Sequence, residues 1–115
     1  PIYRFIFRAY EYYLHRILGD IMGLDTETDK GANNFSFFTK NAAGLYECNS
    51  RSRSALSAQQ LNYLNNLYTK YNSVRHPYSH WSASDVDTAV ITSIDEARNL
   101  LNDGIILVNQ YYTLF

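Results

Sequence analysis

The chain has 115 residues, ten of them basic and eleven acidic, and a net charge of −1 at pH 7. This length suits one domain with one core, and the 46% apolar share excludes a disordered chain. The near-neutral net charge argues against a positive electrostatic field over the whole protein that would attract nucleic acid. A local basic patch is still compatible with this net charge. No apolar run is long enough to span a bilayer, so no membrane association is expected. The single cysteine, Cys48, excludes an internal disulfide and a cysteine-rich zinc site, and it fits a reducing, cytoplasmic setting.

A first amphipathic helix is predicted from about residue 2 to residue 22. Apolar side chains recur there at three- and four-residue steps: Ile2, Phe5, Ile6, Ala9, Tyr13, Ile17 and Ile21. Further aromatic side chains widen this stripe, so we expect burial on two sides, in a bundle or against a second subunit. The remaining face is predicted to carry the charged residues Arg4, Arg8, Glu11, His15 and Arg16. Gly23 stands where a helix C-cap is expected.

The helical period fails between residues 24 and 57. Residues 25–31 are polar and rich in turn formers, and three phenylalanines follow within residues 35–38. Residues 40–46 are predicted to form one or two helical turns. The tract from Ser50 to Ser54 is short and basic, and we expect it to be flexible. A long irregular connection in a small domain is more often functional or mobile than inert.

A second helix is predicted to begin at a capping box formed by Ser57 and Gln60. It should run to about Val74, because Pro77 lacks an N–H group and disfavours helical geometry at His76. A short helix is expected to begin near Ser84 or Asp85.

A last helix is predicted to follow a second capping box at Ser93 and Glu96. Gly104 in its interior indicates a kink or close packing. Three long helices plus short ones, without an alternating strand pattern, predict an all-α fold, an up-and-down helical bundle. The chain begins at Pro1 inside an apolar helical pattern, so we expect a single domain that is processed or is the C-terminal part of a longer protein.

The segment from Arg75 to His80 combines a permanent cation, two imidazoles and a proline. Metal-free cleavage of RNA needs a base for the 2′-hydroxyl proton, an acid for the leaving 5′-oxygen, and a cation for the charge on phosphorus. The imidazole of His80 can serve as base or acid, and His76 offers a second proton carrier. Arg75 presents fixed donors that match phosphate oxygens and keeps its charge.

The spacing of Arg75 and His80 poses a geometric problem. Residues five apart in a straight α-helix lie about 140° apart around the axis, so the two side chains would not face one target. A backbone break at Pro77 is one solution. Two copies of the segment that face each other across a two-fold axis are another.

An arginine, a polar residue and a histidine at this spacing, at the end of an amphipathic helix, resemble the Arg-x4–6-His signature of HEPN domains. The stretch from Tyr71 to Ala83 is particularly similar to HEPN domains attached to phage-defence proteins of the abortive-infection type. Pro77 departs from the pattern, since many members are continuously helical there. The resemblance implies one HEPN-like domain over residues 1–115, with a bundle of four to five helices.

The same resemblance implies a function and a site. HEPN domains usually dimerise and bring two motifs into one cleft, and many are metal-independent ribonucleases of toxin and abortive-infection systems. By this resemblance Arg75 and His80 are the catalytic pair, with support from His76, Tyr78 and Ser79. The expected enzyme needs no cofactor and leaves 2′,3′-cyclic phosphate and 5′-hydroxyl ends. Its expected partners are RNA, a second copy of the chain, and an antitoxin or an upstream defence domain.

Several alternatives stay open. A non-catalytic HEPN-like module could bind RNA or dock a partner, and a structural domain could only dimerise. Arg75 could oppose the dipole of its helix, with His80 packed in a turn. Arg51 and Arg53 could touch RNA phosphates or could simply be solvated. A zinc site from the three histidines is not expected, because no cysteine lies near them. The chain has eleven tyrosines, and the tyrosine-rich faces of the first and last predicted helices are expected to supply core and dimer surface, with a base-stacking platform as a minor alternative.

Overall fold

Three long helices and one short hairpin dominate the described part of the chain. The structure is a computed structural model that describes residues 2–79 and 94–115, with the side chains of residues 4–75 and 95–115. The elements in chain order are α1 (Ile2–Leu14), a π-helix (His15–Ile21), β1 (Phe38–Lys40), β2 (Tyr46–Cys48), a 3₁₀ helix (Arg51–Ala55), α2 (Ala58–Ser79) and α3 (Ile94–Leu114). The predicted helical class is confirmed. The predicted short helix near Ser84 and the capping residue Ser93 lie outside the described residues.

The first helix changes its winding after Leu14. Within its π-helical end the amide of Met22 donates to the carbonyl of Ile17, five residues earlier, at 2.9 Å. Gly23 then adopts a φ of +73° and donates to the carbonyl of Gly19 at 3.0 Å, which ends the helix. The predicted C-cap and the predicted extent of this helical segment are therefore confirmed.

Helix α2 runs antiparallel to α3. The hydroxyl of Tyr63 donates to the carbonyl of Leu107 at 2.7 Å, and Lys70 pairs with Asp103 at 3.2 Å. As the residue number rises along α2, the number of the contacting residue on α3 therefore falls. Because the Tyr63 bond is buried, it joins the two helices where water does not compete for the donor.

Helix α1 runs in the same general direction as α3. Ile6 meets Gly104, and seven residues further along, Tyr13 meets Tyr111 with ring centroids 4.3 Å apart. A Cβ atom at Gly104 would lie 3.3 Å from Cγ2 of Ile6, so the close packing predicted at this glycine is confirmed. The three described helices thus follow an up-down-up order.

The core has an aliphatic centre and an aromatic surround. Its centre is fully buried and consists of Leu14, Ile17, Leu18, Leu64 and Leu67. Tyrosines surround this centre: Tyr10, Tyr13, Tyr63, Tyr71 and Tyr111 are all buried. The prediction that tyrosines contribute to the core is confirmed. None of the described helices is long and apolar enough to cross a membrane.

Residues 41–45 join the two strands of a β-hairpin, so the prediction of helical turns over residues 40–46 was wrong. Strands β1 and β2 pair antiparallel, with Phe38 opposite Cys48. The Asn41 side chain accepts hydrogen bonds from the amides of Ala43 and Leu45, both at 3.0 Å, and Gly44 adopts a φ of +81°. This turn chemistry overrides the helix propensity of the two alanines between Asn41 and Gly44.

The hairpin docks on α2 through side chains of that helix. The amide of Cys48 donates to Oδ1 of Asn65 at 2.8 Å, and the amide of Tyr46 donates to Oγ1 of Thr69 at 3.0 Å. The ring of Phe38 stacks on Tyr68 with a centroid distance of 3.9 Å. Helix α2 therefore satisfies amides of β2 that a third strand would otherwise pair.

The tract from Ser50 to Ser54 is not the flexible segment that its composition predicted. It lies in the 3₁₀ helix, and the Ser50 side chain accepts from the amide of Ser52 at 3.2 Å. The capping box that follows is confirmed. The amide of Gln60 donates to Oγ of Ser57 at 3.1 Å, and the amide of Ser57 donates to Oε1 of Gln60 at 3.0 Å.

Helix α2 passes through Pro77 and reaches Ser79, so the predicted end near Val74 was wrong. Pro77 forgoes the backbone bond that would reach the carbonyl of Ser73, at a cost of about 3 kcal/mol in a helix interior. Its fixed φ of about −65° nevertheless suits a helix, which allows the winding to continue.

Candidate functional site

Arg75 lies near the C-terminal end of α2, and its side chain is exposed. The backbone from His76 to Ser79 continues the helix, whereas the side chains of His76, Tyr78 and Ser79 are outside the described set. The second predicted catalytic residue, His80, also lies outside the described residues. Because α2 is continuous through Pro77, the break that one of the two predicted geometries required is not found there.

Arg75 lies at a cleft of about 460 Å³, which we call the Arg75 cleft. Three elements line it: α1, α2 and the loop that joins the π-helix to β1. The lining residues are Phe7 and Glu11 of α1, Tyr68, Tyr71 and Arg75 of α2, and residues 32–36 of the loop. Phe7 and Glu11 are one turn apart, as are Tyr68 and Tyr71, so each helix presents one face to the cleft.

Aromatic rings form the apolar wall of the Arg75 cleft. Phe7 and Tyr71 stack across the two helices with ring centroids 5.0 Å apart. The edge of Phe35, from the loop, meets Tyr71 at 5.5 Å with an interplanar angle of 82°. Tyr71 and Phe35 are buried, so this wall is fixed by the core rather than by mobile surface side chains.

His15 anchors the loop that closes the cleft. Its Nδ1 lies 2.8 Å from Oγ1 of Thr26, and its Nε2 lies 2.8 Å from Oδ1 of Asn33. Its ring also packs edge-on against Phe35 at 4.8 Å. Both ring nitrogens are therefore engaged within the protein. Among the described residues, no group of three or more histidine, cysteine or acidic side chains could hold a metal ion.

Glu11 is buried, although its position among charged residues of α1 predicted an exposed face. The residue is 9% exposed, and its Oε2 lies 3.1 Å from Nη1 of Arg8. It follows Phe7 by one turn, and this face of α1 packs against α2. Phe7, Glu11 and His15 are four residues apart, and this spacing could have shown that they share one face of the helix. The prediction placed Glu11 and His15 on the solvent side only because they are charged or polar.

The charges at the cleft act on two tyrosines. Burial raises the pKa of Tyr71, and the negative charge of Glu11 raises it further, while Arg75 and a hydrogen bond from Asn33 lower it. Burial also raises the pKa of Tyr68, and Arg75 again acts in the opposite direction. The Tyr71 hydroxyl therefore lies in the field of both Glu11 and Arg75. Both phenols stay protonated at neutral pH and can donate hydrogen bonds.

The arrangement can bind a planar, polar ligand that carries an anion. Aromatic rings offer apolar contact, a carboxylate accepts hydrogen bonds, and an exposed guanidinium can pair with phosphate. Arg51 and Arg53, the other predicted RNA contacts, do not line this cleft. Arg53 instead donates from Nη1 to the carbonyl of Cys48 at 3.4 Å. RNA contact by these two arginines stays a prediction.

Exposed apolar side chains mark α1 and α3. Phe5 is 75% exposed and Tyr12 55%, seven residues apart on α1. Ile105 and Tyr112 are also exposed and are seven residues apart on α3, which packs beside α1. We call these four residues the α1/α3 strip. Exposed apolar side chains of this kind are available for contact with a partner protein. The dimer itself stays a prediction.

One comparison with known proteins gives a match. Residues 2–82 match the family RnlA-toxin DBD, described as "RNase LS, bacterial toxin DBD domain". The matched region covers α1, the hairpin, α2 and the segment from Arg75 to His80. No curated protein and no solved structure matches the chain. The match confirms the toxin class predicted from the sequence, while HEPN membership stays a prediction. The chain belongs to the RnlA-toxin DBD family of bacterial toxin domains.

Proposed function

We propose that the chain is the ribonuclease module of a bacterial toxin, a metal-independent endoribonuclease that acts through Arg75 and His80. One observation carries this proposal. The family match over residues 2–82 includes both residues, and the toxin of that family is named as an RNase. The exposed guanidinium of Arg75 beside an aromatic cleft supports the same assignment.

The proposed reaction is an internal transfer at phosphorus. The 2′-oxygen attacks the adjacent phosphorus as its proton passes to a base, and the bond from phosphorus to the 5′-oxygen breaks as that oxygen takes up a proton. Arg75 stabilises the extra negative charge on the phosphoryl oxygens. His80 carries a proton in this scheme, with His76 as the second carrier and with Tyr78 and Ser79 in support. The products are a 2′,3′-cyclic phosphate and a 5′-hydroxyl.

A homodimer completes the proposed site. The continuous winding of α2 through Pro77 favours the geometry in which two copies of the segment face each other over the one that breaks the helix. The α1/α3 strip is a surface on which a second copy can bury apolar area.

A non-catalytic binding module is the second candidate. The family description designates a DBD domain within the toxin, and the α1/α3 strip gives it a surface for a partner. In this case the chain would bind RNA, or would dock an antitoxin or another part of the toxin, without cutting.

Incubation of the purified chain with a mixed RNA pool in EDTA tests the proposal. The variants are Arg75→Ala and His80→Ala, and the matched control is Arg98→Ala, which removes an exposed arginine of α3. We expect the wild type and the control to cut at the same rate. Each site variant should cut at least about 100-fold more slowly. Equal cutting by all four proteins would contradict the proposed site. RNA binding without cutting by any of them would favour the second candidate.

A further inference from the structure

A groove between α2 and α3 faces away from Arg75. It has a volume of about 650 Å³, and six exposed side chains that carry amides or a hydroxyl line it: Gln59, Asn62, Asn66, Asn109, Gln110 and Thr113. We call it the amide groove. Asn66 and Arg75 are nine residues apart on α2, which places them about 180° apart around the helix axis. The amide groove is therefore separate from the Arg75 cleft.

Two hydrogen bonds hold the walls of the amide groove together. The buried hydroxyl of Tyr63, which lines the groove, donates to the carbonyl of Leu107 at 2.7 Å. Further along the two helices, Nε2 of Gln60 donates to the carbonyl of Leu114 at 2.8 Å. Because both bonds join α2 to α3, the exposed amides are presented on rigid helices rather than on loops.

Among the described residues, the lining of the amide groove carries no charged side chain. A strand of RNA brings one negative charge with each phosphate, and proteins that hold such a strand supply lysine or arginine. A side-chain amide instead offers donors and an acceptor together. The groove therefore suits an uncharged ligand that presents donors and acceptors in alternation. The backbone of a polypeptide is such a ligand.

The spacing of the polar side chains matches an extended chain. Asn62 and Asn66 are four residues apart, as are Asn109 and Thr113, so each pair repeats at about 6 Å along its helix. In an extended peptide, backbone groups that face the same side repeat every two residues, at about 6.6 Å. Successive groups face opposite sides, so one strand in the groove can bond both walls. A bound α-helix cannot do so, since its own turns already use its backbone groups.

Ile106 adds apolar surface to the amide groove. The residue lines the groove and is 53% exposed, and Leu114 lies in the same lining. Burial of this surface favours a segment that carries small aliphatic side chains. The wall of α2 from Gln59 to Asn66 is about 10 Å long, which accommodates about three residues of extended chain.

We infer that the amide groove is a docking site for an extended, uncharged polypeptide segment. Amide side chains of α2 bond its backbone on one side and those of α3 on the other, while Ile106 contacts a small aliphatic side chain of the segment. This docking site goes beyond the proposed function, and it stands whether or not the chain cuts RNA.

Nuclear magnetic resonance of the nitrogen-15-labelled chain tests the docking site, because each asparagine and glutamine side chain gives its own amide signal. The probe is a pool of octapeptides built from Ala, Ser, Thr and Val and capped at both ends, so that it carries no charge. We expect the side-chain signals of Asn62, Asn66 and Asn109 to shift. The signal of Asn102, an exposed asparagine of α3 outside the groove lining, should not shift. A pool with Lys and Glu at alternate positions should bind at least about tenfold more weakly, because the groove offers these charges no partner.

Changes in the probe keep the test independent of how protein variants fold. N-methylation of every second residue removes half of the backbone donors without adding charge, so the methylated pool should also bind at least about tenfold more weakly. In the protein, the double change Asn62→Ala and Asn66→Ala should weaken binding of the unmethylated pool to the same extent, whereas the matched change Asn102→Ala should leave it unaltered. Equal binding of the methylated and unmethylated pools would overturn the recognition of a backbone.

Other occupants of the amide groove give different results. Shifts caused by maltohexaose or adenosine, but not by the peptide pool, would replace the docking site by a small-molecule site. Groove signals that change with protein concentration in the absence of a probe would assign the groove to a second copy of the chain and contradict the inference. Signals that stay fixed with every probe would contradict it as well.

Discussion

His15 and Asn33 are joined by a 2.8 Å hydrogen bond between Nε2 and Oδ1. This bond ties the π-helical end of the first helix to the loop that walls the Arg75 cleft. The other ring nitrogen bonds Thr26 at the base of the same loop, also at 2.8 Å. Both bonds are satisfied when Nε2 carries the proton and Nδ1 accepts from the threonine hydroxyl. His15 thus shapes the candidate site although it does not line the Arg75 cleft itself.

Replacement of His15 by Ala should destabilise the fold. Two hydrogen bonds of about 1 kcal/mol each are lost, together with the ring contact to Phe35, so the free energy of unfolding should fall by about 2 kcal/mol. Urea denaturation measures the change. Lys30→Ala, which alters an exposed residue of the same loop, is the control and should stay within about 0.5 kcal/mol of the wild type. Equal effects of the two variants would contradict the anchoring role.

Replacement of Tyr63 by Phe should weaken the contact between α2 and α3. The variant keeps the ring and removes the 2.7 Å bond to the carbonyl of Leu107, which still lies inside α3 and keeps its place in the helical hydrogen-bond pattern. The loss should therefore be that of one hydrogen bond, about 0.5–1.5 kcal/mol. Thermal and urea unfolding report the loss. Tyr12→Phe removes the hydroxyl of an exposed tyrosine and should change stability little. A neutral Tyr63→Phe would mean that the bond contributes nothing.

Gly104→Ala tests the close approach of α1 and α3. Alanine gains about 1 kcal/mol of helix propensity, but its Cβ would lie 3.3 Å from the buried side chain of Ile6, and overpacking of this kind costs about 1–3 kcal/mol. We expect a net loss of about 1 kcal/mol in the free energy of unfolding. In an Ile6→Ala background the same change should stabilise, because the crowding atoms are gone. The double-mutant cycle measures this reversal of sign, and stabilisation in both backgrounds would rule the crowding out.

Tyr10 should make the fold sensitive to alkali. Burial, and then the charge of Asp103, raises the pKa of Tyr10 to about 12, against 10.0 for the ordinary value. Between these two values the unfolded chain releases a proton that the folded chain keeps, so stability is full below about pH 10 and falls as the pH rises through 12. The loss should reach roughly 3 kcal/mol for this residue. Burial also raises the pKa values of Tyr13 and Tyr63, which adds to the slope.

Tyr10→Phe is the matching variant. The Tyr10 hydroxyl is buried and has no hydrogen-bond partner among the described side chains, so its removal should leave stability at neutral pH unchanged or slightly higher. Above about pH 10 the variant should lose less stability than the wild type. Urea unfolding at neutral and alkaline pH measures both effects. Parallel losses in the two proteins would show that Tyr10 does not titrate in this way.

The features that the sequence predicted correctly are local. Gly23 ends the first helical segment, and the hydrogen bonds between Ser57 and Gln60 cap the start of α2. These features depend only on residues that are neighbours along the chain. The three long helices were also predictable, because apolar residues recur within each segment at three- and four-residue steps. Gly104 indicated close packing, since a missing side chain inside a helix usually has a packing reason.

The features that the sequence did not predict depend on tertiary partners. The hairpin has strands of three residues each, too short to show alternation, and it is held by Asn65 and Thr69 of α2. Pro77 stays inside a helix although local preference argues against it. In the candidate site, Arg75 was identified from its own motif. The burial of Glu11 arises only when α1 packs against α2, so no local pattern of charge could assign it to a cleft.

The chemistry of the fragment ends tests the ribonuclease proposal most directly. RNA cut by the wild-type chain in EDTA is analysed by mass spectrometry, beside the Arg75→Ala and His80→Ala proteins. The proposal predicts 2′,3′-cyclic phosphate and 5′-hydroxyl ends from the wild type, and their absence with both variants. Fragments with 3′-hydroxyl and 5′-phosphate ends, or cyclic-phosphate ends that persist in both variants, would contradict the proposed roles of Arg75 and His80.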